Sequence, residues 1–193
     1  MARPVEFERD AVLDKAMRAF WNQGYHATSM AHLTDLTELG SGSIYAAFQS
    51  KEGLFLAALD HYGERSVASI EQALSRSASP LEAIRAYFKK LAQEAGKPQA
   101  QRGCLLVNSV LELARLNPTV QERLNHHFAH IEGLFRDALV SAQARGELAP
   151  DKDPAALAAF LMTNIWGLRV LAGTGPQPTR AQAVVSQILS LLS

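Results

Sequence analysis

The residues best suited to binding chemistry fall into two groups. The first is a run of small and hydroxyl-bearing residues, Ser41-Gly42-Ser43-Ile44-Tyr45-Ala46, with Thr28 before it and Lys51 after it. On a helix, Ile44 and Phe48 point one way with Ser41 and Tyr45 at their flank, while Gly42, Ser43 and Ala46 point the other. That outward set is small enough to approach a groove floor, and Ser43 offers a hydroxyl to a base edge. Tyr45, Lys51 and the hydroxyls of Thr28 and Ser43 can hold phosphate, which sets register without reading sequence. Arg3, on a short N-terminal arm, can reach a minor groove. The second group is Cys104, Asn108 and Glu112, spaced i, i+4, i+8 on an otherwise apolar stretch. A buried amide and carboxylate are costly unless a hydrogen bond or a ligand satisfies them. With Tyr87, His127 and Trp166 beside them, these residues are expected to wall a pocket for a small molecule. The competing reading is a satisfied core network.

Two short helices must present the first group. Met30, Leu33 and Leu36 recur at helical spacing, Glu38-Leu39-Gly40 interrupts them, and Ile44 and Phe48 resume on a second helix. A pair of this kind is either a plain helical hairpin or a helix-turn-helix, whose second helix lies in the major groove.

The run Gly42-Ser43-Ile44-Tyr45-x-x-Phe48-x-Ser50-Lys51-Glu52, preceded by Ala27-Thr28-Ser29-Met30, resembles the DNA-binding signature of the tetracycline-repressor (TetR) family of bacterial transcriptional regulators. The resemblance implies a head over residues 1–50 that binds double-stranded operator DNA. It also implies a domain over residues 51–193 that binds an effector and forms a homodimer through the last two helices. A two-fold dimer presents two recognition helices to a palindromic operator. One position departs from the family pattern: Glu38 stands where the turn usually has Gly, so the turn must be left-handed at some cost or differently built.

Further along, Ser50 caps a long helix, Ser79-Pro80-Leu81-Glu82 is a capping box, and Asn117-Pro118 and Asp153-Pro154 open two more helices. Thr179 is expected to cap the last one. No strand signal survives, so the expected fold is all-α with about nine helices. A hydrophobic content of 48% with 20% charged residues describes a globular chain. One cysteine permits no internal disulfide, which suits the cytoplasm. No stretch reads as transmembrane or as a signal peptide.

Charge argues against easy DNA binding. Residues 1–60 hold five cations against eight anions, a net of −3, so the usual basic footprint is missing. The expectation is that the acids face away from the duplex. Cys104 is either a thiol sensor or a small buried apolar residue. Glu122, His126 and His130, one turn apart, suit a metal or simply form a solvated face; the second reading is adopted, and neither metal nor cofactor is expected. An all-α enzyme is a rival reading, but no nucleophile, acid and base converge recognisably. Another rival is a TetR-like interaction protein that has lost DNA binding.

Overall fold

The computed structural model describes residues 8–192; Arg3 lies outside them. Among the described residues the chain is all-α, with nine α-helices and no strand. They are α1 (Arg9–Gln23), α2 (Met30–Thr37), α3 (Ser41–Phe48), α4 (Lys51–Leu74), α5 (Pro80–Ala95), α6 (Leu105–Ser109), α7 (Pro118–Ala144), α8 (Pro154–Gly173) and α9 (Pro178–Ser190).

Caps and prolines set the helix boundaries. Ser29, Ser50, Ser79, Asn117 and Asp153 each accept a backbone N–H in the first turn of the helix that follows. α9 differs from expectation: Pro178 takes the first helical position, so the helix starts before Thr179 without a side-chain cap.

Helices α1 to α3 pack a small core of Leu13, Phe20, Leu33, Ile44 and Phe48 onto Phe55 of α4. Phe20 meets Phe55 edge-to-face at 5.1 Å. Each such ring contributes about 2 kcal/mol through burial. α4 therefore belongs to both halves of the molecule: its first turns complete the head, and its later turns pack on α5 and α7. The α4–α7 crossing is close, because a Cβ at Gly63 would lie 2.4 Å from the His127 ring.

The stretch after Gly103 departs most from the sequence reading. The run from Cys104 to Leu116, apolar almost all the way round, predicts one continuous buried helix. Instead α6 ends at Ser109 and continues as a π-helical turn, Val110–Ala114. Leu111 and Leu116 are 73% and 82% exposed. The wider turn aims Glu112 at the loop between α1 and α2, and Leu111 turns outward. π-Turns of this kind gather at functional sites.

Candidate nucleic-acid interface and sensor cavity

The α2–α3 turn is left-handed. Glu38 has φ 60° and ψ 20°, a conformation that costs a residue with a Cβ, and its carboxylate pairs with Lys15 of α1 at 2.6 Å. Beyond it, Ile44 and Phe48 are buried, whereas Ser41, Gly42, Tyr45 and Ala46 are exposed and Ser43 is half-buried. A Cβ at Gly42 would meet no atom within 4 Å, so this face of α3 is open. The elbow into α4 is tight. Gly53 donates to the Ser50 hydroxyl at 2.9 Å, and a Cβ on Gly53 would lie 1.9 Å from the Phe48 carbonyl oxygen.

Three acids among residues 8–60 are paired with α4 or with the start of α7. Asp14 pairs with Arg65 and with His61 of α4, the latter at 2.9 Å. Glu52 accepts from Asn117 at 2.9 Å, and Asp60 holds Arg123 at 2.6 Å and His127 at 3.0 Å. Two cations near the elbow rest on aromatic faces: Arg9 lies 4.8 Å from the Phe48 ring centroid and Lys51 4.3 Å from that of Tyr25. Burial lowers the Lys51 pKa, and the nearby Glu112 carboxylate opposes that shift.

Asp14 provides a pH test. Burial raises its pKa, but the His61 hydrogen bond and Arg65 outweigh this, leaving it below 3.8. A carboxylate with a depressed folded pKa stabilises fully above its unfolded value, and the contribution is lost as pH falls through the folded value. Asp14→Asn is therefore expected to unfold at a lower temperature than the wild type at pH 7. The gap should close on acidification well below 3.8; a gap independent of pH would contradict the pairing.

Behind the head lies a cavity of about 470 Å³, between α4 and α5. Met17 and Trp21 of α1 form one wall, Tyr62 and Tyr87 another, and Arg169 of α8 reaches it from below. Trp21 meets Tyr62 edge-to-face at 5.0 Å. Its indole N–H donates to the Arg102 carbonyl at 3.1 Å, and the Arg102 guanidinium stacks on its ring at 4.5 Å. One layer further from the cavity, Tyr62 donates to the Cys104 sulfur at 3.6 Å. Glu112 accepts the backbone N–H groups of Tyr25 at 3.1 Å and His26 at 2.9 Å. Gly24, at φ 81°, is needed there because a Cβ would sit 2.9 Å from the Glu112 carboxylate. The cavity thus touches α1 directly, and the π-turn grips the loop that leads from α1 to α2.

Residues 12–58 match the model of the bacterial regulatory proteins of the tetR family, and residues 80–188 match the tetracyclin repressor-like C-terminal domain. The chain belongs to the TetR family. The HTH-type transcriptional repressor ComR of Escherichia coli is 35% identical to this TetR protein over 98% of its chain and 90% of the relative. An HTH-type regulator of Bacillus subtilis, YezE, is 30% identical over 100% of both chains. A solved structure of the TetR family regulator CifR, a cysteine mutant with 26bp operator DNA, is 34% identical. It covers 99% of this chain and 100% of that one, with a TM-score of 0.84.

Within this TetR framework, several expected site residues fall elsewhere. The Thr28 hydroxyl is fully buried and donates to the Gly24 carbonyl at 2.6 Å, so it does not face outward to phosphate. Of the six residues expected around the pocket, Tyr87 lines the cavity. Cys104 stands behind Tyr62. Asn108 is exposed and donates to the Arg102 carbonyl at 2.9 Å, bracing the loop. Glu112 clamps the head, and His127 is buried against Asp60 and Gly63. Trp166 lies on the outer side of α8, 4.7 Å from the Phe128 ring. Helical spacing identified which residues share a face but not which neighbour that face meets. The sequence reading missed Trp21, Tyr62 and Arg169 as cavity residues; Arg169 had left a signal, as the one charge within a long apolar helix. His126, His130 and Glu122 are exposed, and no three potential ligands cluster to hold a metal among the described residues.

Proposed function

We propose that this TetR protein is a homodimeric repressor. Residues 1–50 read a palindromic operator, and residues 51–193 bind a small molecule that releases it. The observation that carries the reading is the open, small-residue face of α3 on an elbow that Gly53 locks to α4, the helix that also walls the cavity. ComR is named as a repressor, and CifR was solved with operator DNA, which supports the DNA-binding half.

Ser43 is assigned a base edge, while Ser41, Gly42 and Ala46 allow close approach. Tyr45, 49% exposed, and Lys51 are assigned to phosphate. Low net charge is tolerated because Asp14, Glu52 and Asp60 are spent on contacts away from α3. A molecule in the cavity presses on Trp21 and Tyr62, so it acts on α1 and α4 together. If the ligand prefers one α1–α4 arrangement, it shifts the spacing of the two heads by that difference in affinity.

The dimer is assigned to α8 and α9. Ala156, Phe160, Thr163, Gly167 and Val170 form an exposed stripe on α8 at steps of three and four residues, and Val184 and Leu191 continue it on α9. A Cβ at Gly167 would meet no atom within 4 Å, which leaves room for a symmetry mate. α8 is long and apolar enough by composition to cross a membrane. In this reading the outer face of α8 is covered by the partner's helices instead.

Fluorescence anisotropy on DNA from the region upstream of the gene tests the head. Lys51→Ala should weaken binding on every sequence alike and lower the slope of log K against log salt by about one. Ser43→Ala should instead alter base preference. An unchanged slope contradicts the phosphate role of Lys51.

A further inference from the structure

The charge distribution of the cavity identifies a class of ligand. Arg65, Arg76, Lys90 and Arg169 line it against a single carboxylate, Glu94. Arg65 is tied to Asp14, Lys90 lies 3.9 Å from Glu94, and Arg76 is exposed and reaches Gln72 at 3.4 Å. Arg169 differs from these. It is partly buried and faces Tyr87, Cys104 and Tyr62, and among the described residues it pairs with no carboxylate. A guanidinium held away from solvent without a counter-charge is expensive, and an incoming anion removes that cost. The Tyr62 proton is given to the Cys104 sulfur, whereas Tyr87, hydrogen-bonded to Arg169 and with its pKa raised by burial, keeps a phenol proton at neutral pH that can turn to an anion. Met17, Trp21, Ile70 and Leu91 give the cavity of about 470 Å³ an apolar surface, with Ser66, Ser69, Gln72 and Ser77 as its uncharged polar lining.

We propose that the cavity binds a small organic carboxylate with an apolar body, its head group held by Arg169 and by the hydroxyl of Tyr87, its body against Trp21 and the Tyr62 ring. A planar guanidinium fork matches a carboxylate in two parallel hydrogen bonds, which favours this head group over a neutral one. Calling the ligand an effector rests on the repressor reading above; the preference for an anion does not.

The test titrates the full-length protein, without DNA, with hexanoate, 4-phenylbutyrate and decanoate, each beside its primary amide, and with inorganic phosphate. Tryptophan fluorescence and thermal unfolding report binding. At least one carboxylate is expected to bind about ten-fold more tightly than its amide, and Arg169→Met should remove that preference. Arg76→Ala, at the exposed rim, should keep it. The proposal is overturned if no carboxylate saturates by about 10 mM or if amides bind as well. Phosphate binding as tightly as the carboxylates, or a preference that survives Arg169→Met, overturns it too. If Arg169→Met does not fold, the carboxylate-against-amide comparison in the wild type decides alone. Operator release is scored separately: a carboxylate that binds but releases no DNA supports the ligand class and contradicts the repressor reading.

Discussion

Glu112→Ala is expected to loosen the head from the sensor. Its carboxylate accepts two backbone N–H groups, those of Tyr25 and His26, from the loop after α1. Removing it breaks both bonds, leaving the part-buried Tyr25 N–H without a partner and returning the exposed His26 N–H to water, a loss of about 2 kcal/mol. Native-state hydrogen exchange reads this locally: the Tyr25 and His26 amides should exchange about 30-fold faster, while amides in the α7 core should follow only the global stability. Glu112→Gln keeps one acceptor and should fall between. The same variants should bind operator less tightly, because the angle of the head relative to α4 is no longer held from below. Unchanged exchange at both amides would contradict the clamp.

The second large effect concerns the dimer. Phe160→Glu with Val170→Glu places two carboxylates on the exposed stripe of α8, where the wild-type residues are 36% and 51% exposed in the single chain. Helix content by circular dichroism should be unchanged, and sedimentation should show a monomer. Two linked heads bind with an avidity that one cannot reach, so operator affinity should drop by about 100-fold or more. A variant that remains dimeric would move the interface away from α8.

How much of this was legible beforehand depends on the kind of signal. Local chemistry read well: Ser50, Ser79-Pro80, Asn117-Pro118 and Asp153-Pro154 start helices where they were expected to, because a cap or a proline acts on its own first turn. Ile44 and Phe48 pointed inward as their spacing required. Residues whose role depends on a distant partner did not read well. Thr28 turns in to a carbonyl four residues back, and Glu112 turns to a loop more than 80 residues away after a π-turn that no periodicity announces. His127 faces Gly63 instead of a ligand, a fit visible only when α4 and α7 are packed together. Glu38 was recognisable as an anomaly, and its left-handed conformation with the Lys15 pair resolves it. Of the acids behind the missing basic footprint, Asp14, Glu52 and Asp60 pair with His61, Asn117 and Arg123, contacts that no spacing announces.

Selection of bound DNA from random sequence tests the central claim most directly, using the full-length protein with bases identified after several rounds. Two recognition helices related by a two-fold axis should enrich a palindrome, its half-sites separated by a whole number of helical turns, about 34–36 Å or a multiple. Ser43→Ala should change the enriched bases at symmetric positions in both halves. A pool with no enriched sequence, or a single half-site without its mirror image, would contradict the account of a dimeric operator-reading repressor.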